Sequence, residues 1–302
     1  MGKKLFIGVD FGGTKIKSGL VNSRGTVLKS ISIPTVDPKT GKMSVSRMFE
    51  AIDSVWDRQA SAIGVGIAGM VDFRKGKLIR GPNLPKSWDN ADIAGMVRKR
   101  YGRPVTVDND ARCFALGEHC HGAGKGLGDM VGLTIGTGVG SGLVLNGAVF
   151  RGHDNGAGEI GHMTVSGKNG PACPCGMNGH LESLVSGRAI VRRYLEKTGQ
   201  ENTPKEISEK SRKGDPFARE SILETGYWLG MGLAAIAQVI NPEIIVVGGG
   251  LNSVHGLLAE AKSEFRKAVP YRPLLKTKIT RSLLGTDANV IGAAIMASDN
   301  AS

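Results

Sequence analysis

The chain has 302 residues, of which 40% are hydrophobic, and it carries a formal charge of +12 at pH 7. That length allows a large hydrophobic core, which we expect to be divided between two lobes. The 45 glycines cluster at the ends of apolar runs instead of forming a repeat. They therefore indicate tight turns near ligands and exclude a flexible polymer.

The basic charge would suit nucleic acid, an anionic membrane or small anionic substrates, and the sequence argues against the first two. Residues 74–103 are rich in basic side chains, but no aromatic side chains alternate with them as a stacking platform for nucleic acid requires. The chain runs into a strand without an apolar signal core, and no later stretch is long enough to span a bilayer. We therefore interpret the basic segment as a solvated face and expect a cytoplasmic protein without nucleic-acid or membrane partners. The basic residues are Arg74, Lys75, Lys77, Arg80, Lys86, Arg98, Lys99, Arg100 and Arg103.

The first predicted elements form a hairpin that the chain contains twice. An apolar strand at residues 5–9 is followed by Asp10-Phe-Gly-Gly-Thr-Lys15, a strand at 16–21, a turn at 22–25 and a third strand. Residues 131–150 repeat this order around Gly136-Thr-Gly-Val-Gly140, and their second strand also contains Ser-Gly-Leu-Val. The turn Asn146-Gly147 between apolar runs is a strong hairpin signal. Two unrelated hairpins are the alternative, but the shared order favours an internal duplication.

Strands and helices alternate in the rest of the chain. Short apolar strands are predicted at residues 63–67, 105–107 and 244–247, and helix-length apolar periodicity at 181–197 and 217–240. This pattern predicts an α/β fold whose central strands are buried on both faces. Two like halves would enclose a ligand cleft, and ligands of such folds bind at the carboxyl ends of strands.

The glycine turns are candidate phosphate sites, because their backbone N–H groups can approach phosphate oxygens without a Cβ in the way. Thr14 and Thr137 would add hydroxyl donors. Neither turn is a P-loop or a dinucleotide fingerprint, since the spacing and the following elements differ. Asp10, at the end of a buried strand, would hold Mg²⁺ through water or would simply cap the turn.

A second candidate for chemistry is Asp108-Asn109-Asp110, which follows a predicted strand. A carboxylate there would accept the proton of an attacking hydroxyl, and the neighbouring amide would hold the substrate. Asn and Asp are also common at helix N-caps, which is the alternative for these residues taken alone.

Residues 159–182 predict a metal site. His162, Cys173, Cys175 and His180 are separated by 11, 2 and 5 residues on a loop rich in Gly and Pro. In a cytoplasmic protein the cysteines are expected to be reduced, and Cys173 and Cys175 are too close for an ordinary disulfide. Two thiolates and two imidazoles complete a tetrahedral Zn²⁺ site without an open position, so we expect structural zinc. Two incidental thiols beside surface imidazoles are the alternative.

The other histidines and cysteines near one another are His119, Cys120 and His121, at a predicted helix end. Adjacent helical side chains diverge too far to share a metal, so we assign them no function.

Taken together, these motifs resemble those of the ROK family of bacterial sugar kinases across nearly the whole chain. Residues 10–15 are similar to the family's first phosphate motif, residues 136–140 to the second and residues 248–250 to the adenosine motif. Residues 158–182 resemble the signature Gly-Glu-x-Gly-His…Cys-x-Cys-Gly-x-x-Gly-Cys-x-Glu, except that His180 replaces the third cysteine. Imidazole is also a zinc ligand, so we still expect a site of two histidines and two cysteines.

The resemblance implies a role for each matched residue. Asp110 would be the catalytic base. The sugar would be bound by Asn83, Asn109, Asp110, Glu159, His162 and Glu182. ATP with Mg²⁺ would be bound by Asp10, Gly12, Gly13, Thr14, Lys15, Gly136, Thr137, Gly138, Gly249 and Gly250. Zinc would be held by His162, Cys173, Cys175 and His180.

The resemblance also implies a fold of two actin-like (ribonuclease H-like) α/β lobes with a ligand cleft between them. We place a small N-terminal lobe at residues 1–112 with 288–302. The large lobe, which carries the zinc loop, then comprises residues 113–287. A homodimer, or a dimer of dimers, is expected on the same ground.

The implied reaction transfers the γ-phosphoryl group of ATP to a hexose hydroxyl, usually the 6-hydroxyl. Residues 81–88, which include Asn83, resemble the glucokinase form of the sugar loop, so glucose is our first choice. N-acetylglucosamine, N-acetylmannosamine, mannose and fructose remain open, as does polyphosphate as the donor. A non-catalytic sugar-binding sensor is the alternative from another class. The family's repressors carry a helix-turn-helix region before the first phosphate motif, for which a motif that begins at residue 10 leaves no room.

Overall fold

A computed structural model describes residues 4–299 of the chain. The strands are β1 (Leu5–Phe11), β2 (Lys15–Asn22), β3 (Val27–Pro34), β4 (Ala60–Ile67), β5 (Met70–Asp72), β6 (Lys77–Arg80), β7 (Val105–Asn109), β8 (Met130–Ile135), β9 (Val139–Leu145), β10 (Ala148–Phe150), β11 (Ile244–Gly248) and β12 (Lys278–Arg281). The α-helices are α1 (Val45–Asp53), α2 (Ile93–Tyr101), α3 (Asp110–His121), α4 (Leu181–Val185), α5 (Gly187–Thr198), α6 (Pro204–Arg212), α7 (Pro216–Ile240), α8 (Leu257–Ala268) and α9 (Ala288–Asp299).

Two five-stranded sheets share one topology. The first has the order β3-β2-β1-β4-β7, and the second has the order β10-β9-β8-β11-β12. In the first, β1 pairs antiparallel with β2 and parallel with β4, which pairs parallel with β7. In the second, β11 pairs parallel with both β8 and β12. A hairpin followed by parallel strands therefore occurs twice, which confirms the predicted α/β class and the internal duplication.

The chain forms two compact units. The first consists of the chain up to Gly128, Gly142–Gly158 and the segment from Ser282 onward, and the second of Asp129–Ser141 and Glu159–Arg281. These bounds differ from the sequence-based division at residues 112 and 288. Residue 112 lies inside α3, and α3 packs along α9 within the first unit.

The local signals at most element ends are those that the sequence predicts. Asn146 and Gly147 both have positive φ, of 51° and 76°, as a tight two-residue hairpin turn requires. Helix α7 begins after Asp215, whose carboxylate accepts from the N–H groups of Phe217 and Ala218, and it ends at Asn241 with φ 50°. None of the helices within residues 4–299 is long and apolar enough to cross a membrane.

One predicted helix is divided. The apolar periodicity at residues 181–197 indicates one helix, but Ser186 is extended, with ψ 169°, and separates α4 from α5. The break releases the N–H of Gly187, which donates to the carbonyl oxygen of Gly136 at 2.8 Å. A contact far away in the sequence therefore overrides the local pattern, and no helical periodicity can predict it.

Helix α9 lies unusually close to its neighbours in the first unit. A Cβ on Gly8 of β1 would overlap the carbonyl oxygen of Val290, and a Cβ on Gly292 would overlap that of Cys113 in α3. Glycine is therefore required at both positions for backbone to approach backbone. These contacts fix the first turn of α9 next to the end of β1 and the start of α3.

Candidate active site

The Asp10–Lys15 turn joins β1 to β2 in the first unit. The N–H of Gly12 donates to the carbonyl oxygen of Lys15 at 3.1 Å, and the hydroxyl of Thr35 donates to the carbonyl oxygen of Gly12 at 2.7 Å. The side chains of Thr14 and Lys15 are exposed. The turn is thus held by its own backbone and by Thr35, while Thr14 and Lys15 remain available to a ligand.

The predicted sugar loop contacts this turn. The Cβ of Asn83 lies 3.0 Å from the position that a Cβ on Gly13 would occupy, so only glycine fits there without displacement. The ring of Trp88 packs on that of Phe11, with centroids 5.5 Å apart. Asn83 itself is exposed. Its side chain therefore lies beside the first glycine turn, open to solvent.

Asn109 and Asp110 lie where β7 ends and α3 begins. The Oδ1 atom of Asn109 accepts from the N–H groups of Ala111 and Arg112, at 2.9 and 3.2 Å, and its amide donates to the carbonyl oxygen of Gly69 at 3.1 Å. Asn109 is thus the N-cap of α3. Its amide has one further N–H to offer, whereas its oxygen is already used by the helix.

Asp110 and Asp10 are electrostatic neighbours. Burial, and then the charge of Asp110, raise the pKa of Asp10 from 3.8 to about 7, while a hydrogen bond from Asn289 acts in the opposite direction. Oδ1 of Asp110 accepts from the N–H of Ala111 at 2.9 Å, in the first turn of α3. Two carboxylates close to one another, near the end of β1 and at the first residue of α3, fit a divalent cation with oxygen ligands.

The strand end is supported from behind by a buried ion pair. Asp108 is fully buried and lies 3.1 Å from Nη1 of Arg112 and 2.8 Å from Nε of Arg151. Arg112 also donates to the carbonyl oxygens of Asn155 and Ala157. Asp108, the first residue of the predicted Asp108-Asn109-Asp110 motif, therefore has a structural role, because its carboxylate forms ion pairs with two arginines.

The second unit contains the other glycine turn. The N–H of Gly136 donates to the carbonyl oxygen of Gly138 at 2.9 Å, and Thr137 is exposed. Gly249 has φ +85°, and a Cβ there would lie 2.5 Å from the carbonyl oxygen of Ile135. The predicted adenosine motif is therefore in contact with the strand that ends at the second phosphate motif.

Glu182, in the first turn of α4, reaches the same turn. Its Oε2 atom accepts from the N–H of Val139 at 2.8 Å, and a Cβ on Gly138 would lie 2.5 Å from that oxygen. This hydrogen bond leaves Oε1 of the carboxylate for a second partner. Sequence reasoning missed this contact, although the absence of a Cβ at Gly138 is the signal that permits it.

The four predicted zinc ligands are grouped together in the second unit. One ligand atom from each of His162, Cys173, Cys175 and His180 lies within 4.8 Å of all the others. Sγ of Cys173 is 3.7 Å from Nδ1 of His162, and Sγ of Cys175 is 3.2 Å from Nδ1 of His180. Ligands on a tetrahedral zinc lie about 3.3–3.8 Å apart, given bond lengths of about 2.0–2.3 Å.

The chemistry of these ligands also fits zinc. Burial raises the pKa of the Cys173 thiol to about 11, and metal coordination would reverse this by stabilising the thiolate. His180 is buried and precedes α4. Within residues 4–299 the four cysteines form no disulfide. The donor set, its spacing and its free thiols therefore suit a structural zinc ion.

Glu159 and His162 flank a short helical turn that enters this loop. The N–H of Ile160 donates to the hydroxyl of Ser141 at 3.2 Å, and the N–H of His162 donates to the carbonyl oxygen of Glu159 at 3.0 Å. The Glu159 side chain is exposed. With Nδ1 of His162 toward the cysteines, its Nε2 atom remains for a different partner.

Comparison with known proteins gives consistent matches along the chain. Residues 6–300 match the model of the ROK family. The chain is 34% identical to the glucokinase of Streptomyces coelicolor, over 97% of each chain. It is 30% identical to the N-acetyl-D-glucosamine kinase of Vibrio cholerae, over 97% of this chain and 99% of the other. A crystal structure of a ROK family glucokinase from Streptomyces griseus, in complex with glucose and AMPPNP, is 32% identical. It covers 98% of this chain and 99% of its own, with a TM-score of 0.86.

Proposed function

The chain belongs to the ROK family, and on that basis we propose that it is an ATP-dependent hexose kinase. Its similarity extends over nearly the full length of glucokinases and of a ROK glucokinase with glucose and AMPPNP. The two lobes are therefore of the actin-like (ribonuclease H-like) class. The observation that carries the proposal within the chain is the pair of carboxylates, Asp10 and Asp110, beside the first glycine turn.

The proposed reaction transfers the γ-phosphoryl group of ATP to the 6-hydroxyl of the sugar. Asp110 accepts the proton of that hydroxyl as the oxygen attacks phosphorus, and ADP leaves. Asn109, held by α3 and Gly69, offers its remaining amide N–H to the sugar, and Asn83 reaches the sugar from its loop. Mg²⁺ bound with ATP supplies positive charge to the phosphates, and Asp10 is the residue that would hold it through water.

The nucleotide contacts are assigned to both glycine turns. In the first unit Gly12, Gly13, Thr14 and Lys15 would bind phosphates. In the second unit the phosphate-binding residues would be Gly136, Thr137 and Gly138, and Gly249 and Gly250 would receive the adenosine. The exposed side chains of Thr14, Lys15 and Thr137 support this assignment.

The second unit would contribute the remaining sugar contacts. Glu159, Nε2 of His162 and Oε1 of Glu182 are the groups that their local hydrogen bonds leave available. We propose that structural Zn²⁺, held by His162, Cys173, Cys175 and His180, stiffens this loop so that His162 and Glu182 keep fixed positions.

Glucose is the proposed sugar, because residues 81–88 resemble the glucokinase loop and the glucokinases match over the whole chain. N-acetylglucosamine is the second candidate, since a kinase named for that sugar also matches over the whole chain. The homodimer and the cytoplasmic location stay predictions.

A coupled ADP-release assay with Mg-ATP tests the function. Glucose, mannose, fructose, N-acetylglucosamine and N-acetylmannosamine are supplied in parallel, and glucose is expected to give the highest kcat/KM. Preference for an N-acetylated sugar would replace the substrate but keep the kinase. No ADP release with any sugar, and no transfer from polyphosphate, would refute the proposed activity and favour a sugar-binding sensor.

A further inference from the structure

Asn289 lies between the carboxylate of Asp10 and the backbone of Asp110. Its Nδ2 atom is 3.2 Å from Oδ1 of Asp10 and 3.4 Å from the backbone carbonyl oxygen of Asp110. An amide nitrogen carries two hydrogens, so one group can donate to both acceptors at once. Asn289 therefore connects the end of β1 to the start of α3.

The position of Asn289 is fixed by its backbone. It is the second residue of α9, and Val290 beside it contacts Gly8, two residues before Asp10, without room for a Cβ. Gly117 of α3 approaches the carbonyl oxygen of Ala288 equally closely. The neighbours of Asn289 on both sides are thus held against the elements that carry Asp10 and Asp110.

Helix capping does not account for this arrangement. A capping side chain accepts from backbone N–H groups, whereas the amide of Asn289 donates to a carboxylate and to a carbonyl group on two other elements. The amide is also neutral. A Lys or Arg at this place would neutralise the negative charge that suits the site to a cation, while an amide orients Asp10 and leaves that charge in place.

We propose that Asn289 is a positioning residue for phosphoryl transfer, which holds the Asp10 carboxylate and the Asp110 backbone in one fixed arrangement. This inference rests on the proposed kinase function. Without the amide, Asp10 is free to rotate away from the metal–nucleotide site, so nucleotide binding and transfer weaken. Sugar affinity should change little, because Asn289 reaches Asp110 only through its backbone carbonyl oxygen, and Asn109 is held by Gly69 and Ala111 instead.

The test compares Asn289→Ala and Asn289→Leu with Val290→Ala. Leu keeps the branched shape of Asn without its donor, and Val290→Ala removes core packing at the adjacent residue of α9 without touching Asp10. We expect both Asn289 variants to lose about tenfold in kcat and to raise the KM for Mg-ATP severalfold, as loss of a hydrogen bond to a charged group implies. Sugar affinity, measured without nucleotide, should stay within about twofold of wild type.

A second readout does not depend on turnover. Binding of Mn²⁺-ADP, measured by calorimetry or by the Mn²⁺ resonance signal, should weaken in both Asn289 variants and remain unchanged in Val290→Ala. Wild-type affinity in Asn289→Leu would show that only volume matters and would overturn the proposal, as would equal losses in Val290→Ala. If the wild type phosphorylates no sugar, the kinase assignment fails, while Mn²⁺-ADP binding still decides the role of Asn289.

Discussion

The raised pKa of Asp10 leads to a prediction about the pH dependence of stability, which can be tested independently of catalysis. Burial and the charge of Asp110 raise this pKa from 3.8 to about 7. The folded protein therefore holds a proton on Asp10 between about pH 4 and pH 7 that the unfolded chain releases. For such a group the folded state loses stability as the pH rises through this window. Asp10→Asn removes the titration and should abolish that loss.

The magnitude follows from the size of the shift. Three pKa units correspond to about 4 kcal/mol of free energy of unfolding, of which more than half is expressed between pH 5 and pH 8. Because Asp10 is only half-buried, solvent screening reduces this to roughly 2 kcal/mol. For a chain of 302 residues that is a difference of about 3 °C in Tm.

The assay is thermal unfolding of the protein without Mg²⁺ or nucleotide, in buffers from pH 5 to pH 8. The gain in Tm of Asp10→Asn over wild type should grow across the series and be largest at pH 8, while the variant loses phosphoryl transfer. Asp154→Asn is the matched control, because that side chain is 89% exposed and should show no such trend. A constant difference between Asp10→Asn and wild type would refute the electrostatic reasoning.

Three further predictions concern the zinc loop, the second glycine turn and the packing of α9. Purified protein should contain one equivalent of zinc by metal analysis, and Cys173→Ser should lose it together with several degrees of Tm, because metal binding contributes to folding. Glu182→Ala leaves the N–H of Val139 without its acceptor, so the KM values for sugar and for Mg-ATP should both rise about tenfold in steady-state kinetics. Gly292→Ala forces a methyl group into the carbonyl oxygen of Cys113 and should cost about 3 kcal/mol in denaturant unfolding.

Each of these has its own contradicting outcome. Full zinc content in Cys173→Ser would exclude that thiol from the metal site, and Cys120→Ser should keep its zinc. A rise in the sugar KM alone would mean that Glu182 does not support the glycine turn. Unchanged stability of Gly292→Ala would show that α9 can move away from α3 at little cost.

Local sequence patterns were sufficient where local physics decides the structure. Alternating apolar residues and Asn146-Gly147 predicted the hairpins, and the repeated order predicted two sheets of one topology. The four candidate zinc ligands were predicted from residue type and spacing, and their ligand atoms do lie together. In these cases the types and spacing of a few neighbouring residues are enough to predict the local structure.

Contacts between distant segments could not be predicted. The amide of Asn109 donates to the carbonyl oxygen of Gly69, 40 residues earlier in the chain. The helix at residues 181–197 is divided because Gly187 binds the turn at Gly136. Asn289 belongs to no motif, and only the close packing of α9 brings it to Asp10. The sequence can indicate which residues are able to take part in catalysis or binding. Their hydrogen-bond partners depend on which helices and strands pack against one another.

In the proposed kinase reaction, Asp110 takes the proton of the sugar hydroxyl. The most direct measurement compares Asp110→Asn with wild type in phosphoryl transfer from ATP to the preferred sugar and in equilibrium binding of that sugar. Turnover should fall by at least about a thousandfold while sugar affinity changes little, because the amide keeps the shape of the carboxylate but cannot accept the proton. Near-normal turnover of Asp110→Asn would exclude Asp110 as the catalytic base.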